Sequence, residues 1–399
     1  MPVFNRIAAC RDDMTAWRHH LHAHPETAFD EVATSDFVAE LLESFGVEVH
    51  RGLAKTGVVG VLRQGTSART IGLRADMDAL PMPEQNRFAH ASRHPGRMHA
   101  CGHDGHTAML LGAARYLAET RNFDGTVHLI FQPAEEGAAG GKAMIDDGLF
   151  ERFPCDSVFG LHNWPQLPAG TFGVRAGPIM AAADHFDIKV TGKGAHGAMP
   201  HHGVDPVLVA AHIVTAAQAL VSRTTDPVDT AVVSFTVIHG GSAFNVIPDE
   251  VVMSGTVRSF KPETRAALED GLARVATNVA AAFGASARVD YVRCYPATVN
   301  ATREADFAAE VAARVVGAER VNRRPDPSMG AEDFAFMLER RPGCYVWLGQ
   351  GGGPDSCMVH NPHYDFNDEI LAIGASYWAM LAESALPRQS NMRADLDVG

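Results

Sequence analysis

The sequence predicts an α/β fold in which a mainly parallel sheet domain is interrupted by an inserted ferredoxin-like α+β domain. Three observations lead there. Short β-branched runs alternate with helical patterns over residues 1–183, as in a parallel sheet with helical connections. Between 184 and 295 the order becomes β-α-β-β-α-β, the split βαβ pattern of ferredoxin-like units, in about 110 residues. The remainder, 296–399, has two helical patterns and one apolar run, too few strands to stand alone, and is read as returning to complete the first domain.

Helical patterns open the chain at 14–22, stopped near Pro25, and from Thr34 as N-cap to Gly46 just past the C-terminus. Strands are predicted at 57–62 and 70–76, a helix at 106–119, and strands at 126–133 and 157–164. Reactive groups in such sheets gather at the carboxyl ends of strands, so the polar residues just after each apolar run are the candidates. In the insert, a strand from about Asp184 is followed by a helix at 206–220, strands at 230–241 and 251–260, a helix at 263–284 and a strand at 287–294. The run 343–349 supplies a last strand, and the final dozen residues read as frayed.

Composition narrows the function. The 399 residues, 46% hydrophobic and 20% charged, fit roughly two to three globular domains. With 34 Lys and Arg against 47 Asp and Glu, and no basic block, neither a nucleic-acid groove nor polybasic membrane docking is expected. The first residues lack the apolar run of a secretory signal, and no stretch approaches the roughly 18 apolar residues of a membrane helix. Six scattered cysteines in a chain with its own core point to a reducing, cytoplasmic setting, where a cysteine flanked by histidines reads as a metal ligand or nucleophile. The chain also holds 20 histidines, and histidine is the commonest metal ligand.

The densest chemistry is MHACGHDGHTAML at 98–110. In extended backbone, residues two apart project to the same side, so Cys101 and His103 can grip one metal or share two. Thiolate plus imidazole suits zinc, and also nickel, cobalt or manganese if carboxylates join. The plainer alternative is a buried filler cysteine at the start of a helix. Glu135 and Glu136 follow LIFQPA, and adjacent carboxylates point apart: one can ligate a metal while the other acts as general base, unless the pair is simply a solvated turn. His162 and His360 each follow an apolar run, where a lone histidine is usually structural. Together Cys101, His103, Glu136, His162 and His360 offer enough donors for two metals with open positions.

In the insert, TGKGAHGAMP at 191–200 displays His196 in a glycine-rich turn that is either a plain loop or an arm reaching a cleft. Asn245 lies in a turn before the strand that carries Arg258, and an amide with a guanidinium fork can hold a substrate carboxylate. The cluster His19, His20, His22 and His24 is read as packing and surface, because Pro25 ends its helix and Trp17 and Leu21 form the apolar face.

These segments, with RHHLHAHPETAFDE (18–31), RADMDALPM (74–82), SMGAEDFAFM (328–337) and HNPHYDFND (360–368), resemble the M20 metallopeptidase superfamily, closest to its amidohydrolase branch of hippurate hydrolases and N-acyl-L-amino-acid amidohydrolases. The similarity runs in order from about residue 18 to 370. It implies a metal-bearing α/β catalytic domain with a ferredoxin-like lid. It implies that Cys101, His103, Glu136, His162 and His360 hold two divalent metal ions, with Cys101 able to bridge them. Glu135 matches the family's general base, His196 a lid histidine that supports the oxyanion, and Asn245 and Arg258 positions near the substrate. Asp78 matches an aspartate that orients a ligand. Where peptidase branches carry a ligand histidine two residues earlier, this chain has Asp76, so no ligand role is carried there. The resemblance further implies a homodimer or higher homo-oligomer. The expected activity is metal-dependent hydrolysis of N-acyl or N-aroyl amino acids, with zinc or manganese foremost and nickel or cobalt as further choices. A deacetylase or aminoacylase of a biosynthetic intermediate, a dipeptidase, and a metal-binding or ligand-sensing protein without catalysis are the rival readings.

Overall fold

The computed structural model describes residues 4–351 and 357–388; nearly all of the tail read as frayed lies outside them. The chain divides into two compact units. One comprises Met1–Gly177, Val299–Asp326 and Phe336–Gly399, the other Pro178–Thr298 and Pro327–Ala335.

The first unit is built on an eight-stranded sheet. Its middle strands are parallel: Thr70–Asp76 pairs with Gly125–Gln132 on one side and Ser157–Pro168 on the other, and Gly343–Gly351 runs parallel to Ser157–Pro168. Helices cover these strands, so they read as continuous apolar runs rather than alternating ones; all of Thr70–Asp76 beyond its first residue is buried. One flank is antiparallel, with Gly57–Gln64 between Gly125–Gln132 and the outermost Glu48–Leu53. That outermost strand escapes the sequence reading because EVHRGL is largely polar and exposed.

Helix His103–Thr120 is buried along most of its length and packs against Arg11–Ala23 and Leu371–Ala385. The second helix differs at its start from the sequence expectation. It runs Val32–Ser44, and the Glu26 carboxylate accepts from the amides of Ala33 (3.2 Å) and Thr34 (2.8 Å). The cap therefore comes from a side chain upstream, which leaves Thr34 inside the helix.

The second unit holds a four-stranded antiparallel sheet in the order Ala231–Gly240, Glu250–Ser259, Ala182–Thr191, Ser286–Tyr295. Burial alternates along Ala182–Thr191, and Phe186, Ile188 and Val190 share one core with Val209 and Ile213 of helix Pro206–Ala219 and Leu268 and Leu272 of helix Pro262–Ala282. Asp205 caps the first of these helices by accepting from Val207 N–H at 2.9 Å. Contrary to the sequence expectation, one segment, Pro206–Thr224, is long and apolar enough to cross a membrane by length and composition. Its Val209, Ala210, Ile213 and Ala217 are buried in the core of this unit, whereas Val207 and Leu208 of the same helix are exposed. Pro327–Ala335, which composition assigned elsewhere, is tied here through Ser328 N–H to Ile179 O (2.9 Å) and Ala181 N–H to Gly330 O (2.9 Å).

Candidate metal centre

All five expected donors belong to the first unit. Cys101 and His103 flank Gly102, whose φ of 94° turns the chain into helix His103–Thr120 and leaves both side chains on one side. Both are buried. Glycine is required at that turn, because a Cβ there would overlap Asn163 Oδ1 and lie 2.7 Å from Tyr364 Oη. The turn after strand Gly125–Gln132 reverses at Ala134, a left-handed residue (φ 56°, ψ 41°), and presents Glu135 and Glu136 in succession. His162 lies within strand Ser157–Pro168; its Nδ1–H donates to Asn163 O (2.7 Å), which turns Nε2 toward Cys101 Sγ at 3.3 Å. His360 is also left-handed (φ 64°), and its N–H donates to Ala100 O at 2.7 Å, beside the cysteine turn.

Two donor triads result, Cys101–His103–His162 and Cys101–Glu136–His360, each with its ligand atoms within 4.8 Å of one another. Cys101 is common to both. Among the described residues, buried His103 Nε2 has no hydrogen-bond partner. Glu136 Oε1 lies 4.0 Å from it and 3.1 Å from His360 Nε2, with hydrogen-bond geometry to neither. Orphaned buried atoms of this kind are costly unless a cation sits between them. The donor set therefore fits two divalent metal ions.

The electrostatics agree. Burial pushes the Cys101 thiol well above its ordinary pKa, and the charges of Glu136, Glu135 and Asp76 add to the rise. A bound cation reverses that and holds the thiolate. Burial also pulls His103 down, but Asp76, Asp78 and Glu136 push it up to about 10. Burial and His106 hold His162 well below its ordinary value, so it offers a neutral ring.

The supporting groups are mostly ones the sequence did not single out. Asp78 accepts from His103 Nδ1–H through its carbonyl (2.9 Å) and carboxylate (3.2 Å), and its other oxygen accepts from Glu136 N–H (2.9 Å). One carboxylate thus orients two donors. Asp76 is engaged by Arg74 (2.6 Å) and His106 Nδ1–H (2.6 Å). His106 Nε2 meets Asn163, whose Nδ2 donates to Tyr364 Oη (2.8 Å), and that hydroxyl donates to Gln350 Oε1 (3.0 Å). This network joins the cysteine turn, the His162 strand and the His360 loop. Asn163, next to His162, and Tyr364, within HNPHYDFND, lay in segments that carry the family resemblance; Gln350 had no such signal.

The N-terminal histidines divide. His20 stacks on Phe37, and His19 contacts Asp368 at 2.9 Å. His22 is fully buried, bonded to Asp104 (2.8 Å) and Glu84 (3.1 Å), and beside it buried Arg18 pairs with Asp104, Asp365 and Asp368. Both therefore brace Asp104, the neighbour of His103.

The other three candidates lie in the second unit. His196 is exposed in a two-residue strand opposite Val246, and its Nδ1 accepts from Ala198 N–H (3.1 Å). Asn245 is adjacent, its carbonyl accepting from Gly197 N–H (2.7 Å). Arg258 is half-buried in strand Glu250–Ser259 and donates to Thr256 Oγ1 and to Val257 O (3.1 Å).

Two donor triads sharing a thiol, gathered from the cysteine turn, the Glu135 turn, strand Ser157–Pro168 and the His360 loop, with a further carboxylate alongside, are the donor set of a metal-dependent hydrolase. The chain belongs to peptidase family M20/M25/M40, whose family model matches residues 72–384. It is 44% identical over 382 residues to hippurate hydrolase of Campylobacter jejuni, covering 96% of this chain and 99% of that one. It is 40% identical to N-acetylcysteine deacetylase of Bacillus subtilis, covering 92% and 94%. The solved structure of the YXEP protein of Bacillus subtilis, described as a dinuclear metal binding peptidase from the M20 family, superposes with a TM-score of 0.83 at 37% identity, covering 95% of this chain and 99% of that one. The chain is a metal-dependent amidohydrolase.

Proposed function

We propose that the protein hydrolyses N-acyl or N-aroyl amino acids to a carboxylic acid and a free amino acid. The observation that carries this reading is that Cys101 serves both donor triads while Glu135 lies within 4.8 Å of the His103 and Glu136 donor atoms. When bound, two divalent ions, zinc or manganese foremost and nickel or cobalt next, polarise the amide carbonyl and make water more acidic. Glu135 takes a proton from the attacking water and delivers it to the leaving nitrogen. His196 donates to the developing oxyanion, and Asn245 and Arg258 hold the substrate's carboxylate. The relatives' names support the substrate class: hippurate is N-benzoylglycine, and the Bacillus relative removes an acetyl group from N-acetylcysteine. A cytoplasmic homodimer or higher homo-oligomer is the expected form.

Replacing Glu135 with Gln should leave metal content unchanged and lower turnover about 10²–10⁴-fold, the usual worth of a general base. A fully active Glu135→Gln enzyme would refute the assignment. The same purified protein, assayed on N-benzoyl, N-acetyl and dipeptide substrates, separates the aroyl reading from a deacetylase or dipeptidase. His196→Ala should lower kcat with metal content intact.

A further inference from the structure

The turn that presents Glu135 is held from both sides by carboxylates. After it, Asp78 accepts the N–H of Glu136 at 2.9 Å and, through its other oxygen and its carbonyl, holds His103; Asp78 therefore serves two metal donors. Before it, Glu31 Oε1 accepts the N–H of Ala134 at 2.9 Å, and Glu31 Oε2 accepts the Thr56 hydroxyl at 2.7 Å. Neither of these two bonds involves a metal donor.

Glu31 is an expensive residue to keep. It is fully buried, and burial, with the nearby charge of Asp78, pushes its carboxyl up to about 7 against the bonds that favour its ionised form. What it holds is unusual too. Ala134, two residues past the strand that ends at Gln132, adopts left-handed backbone without being glycine, and such a conformation persists only where surrounding contacts over-determine it. The contacts are Glu31 on the N–H and Gly140 N–H on the carbonyl, the latter at 2.9 Å. The residue fixed in this way is the one immediately before Glu135.

We propose that Glu31 is a positioning residue for catalysis: through the Ala134 amide it sets the direction in which Glu135 presents its carboxylate, while Asp78 independently holds the metal donors. This rests on the assignment of Glu135 as the base. It also separates the two supports by function, since losing Glu31 disturbs the base and losing Asp78 disturbs metal binding.

The test compares Glu31→Leu with Glu31→Gln in metal-loaded enzyme, reading kcat, KM and metal affinity by titration. Leucine removes both acceptors. Glutamine keeps an oxygen for Ala134 N–H and turns its amide to donate to Thr56 Oγ1. Glu31→Leu is expected to keep metal affinity and KM within about threefold and to lose about 10–100-fold in kcat, the scale of misplacing a reacting group by about an ångström. Glu31→Gln is expected to stay within about threefold of the original kcat, because the acceptor and not the charge is needed. Wild-type kcat in Glu31→Leu, a Glu31→Gln enzyme as slow as Glu31→Leu, or metal loss in step with kcat overturns the proposal. Should Glu31→Leu not fold, Thr56→Val removes the second anchor of the same carboxylate; an unchanged kcat there overturns the proposal equally. Glu135→Gln is measured alongside. If it is active, the assignment of the base has failed; if it is inactive while Glu31→Leu is fully active, only the positioning role has.

Discussion

Gly102 is the residue on which the metal centre's geometry turns, and alanine in its place tests this. Its φ of 94° costs an alanine about 1–2 kcal/mol through the clash of Cβ with the following carbonyl. The new Cβ would also overlap Asn163 Oδ1 and approach Tyr364 Oη to 2.7 Å, and both residues are fully buried. Neither can retreat without breaking the chain of bonds from His106 through Asn163 and Tyr364 to Gln350. Leaving buried polar atoms unsatisfied adds about 1–3 kcal/mol, for a total of about 2–5 kcal/mol. Gly96 supplies the control: its φ is 80°, and nothing lies within 4 Å of where a Cβ would point. Gly96→Ala should show the backbone cost alone. Because Cys101 and His103 flank Gly102, Gly102→Ala should also weaken metal binding about 10–100-fold, as losing outer support of a metal site does. Urea unfolding of the metal-stripped proteins and metal titration measure the two effects. If Gly102→Ala is no less stable than Gly96→Ala, or binds metal as the parent does, the close packing of the cysteine turn is not what shapes the site.

Since Cys101 belongs to both donor triads, Cys101→Ala should lose both ions on dialysis, whereas His360→Ala, which touches only one triad, should retain one; metal analysis per chain decides, and equal losses would count against a shared thiol. A pH dependence follows from His22. Burial opposes its charge, but hydrogen bonds to Asp104 and Glu84 raise its pKa to about 9. The folded value exceeds the unfolded one of about 6.5, so this stabilisation is complete below about pH 6.5 and is lost as pH rises through about 9, with an upper limit of about 3 kcal/mol. Urea unfolding of metal-stripped protein from about pH 6 to 10 should show that decline and His22→Gln should lack it; identical profiles would show that His22 carries no such charge.

The donors were legible in the sequence through residue type and spacing: a cysteine and a histidine two apart before a helix, adjacent glutamates just after the strand that ends at Gln132, and His162 within an apolar strand. The central strands were legible because burial on both faces makes them uninterrupted runs. What failed depended on distance along the chain. The cap of helix Val32–Ser44 comes from Glu26, not from the threonine that local pattern favours. The polar edge strand Glu48–Leu53 carries no periodic signal. The contacts of His22 with Asp104 and of Tyr364 with Asn163 span 82 and 201 residues, and nothing local distinguishes such side chains from surface ones. A histidine cluster that reads as packing thus includes one ring and one arginine that brace the metal turn from behind.

His103 Nε2 and Glu136 Oε1, which have no hydrogen-bond partner among the described residues, tie the lifetime of the protein to its metal supply. A metal ion present at about a hundred times its Kd favours the folded state by about 2.7 kcal/mol. That is a sizeable part of the about 5–15 kcal/mol that holds a typical protein folded. Chains made while metal is scarce would open more often and be cleared sooner by proteases. The number of working molecules in a cell would then fall with metal supply for two reasons, fewer filled sites and fewer surviving chains.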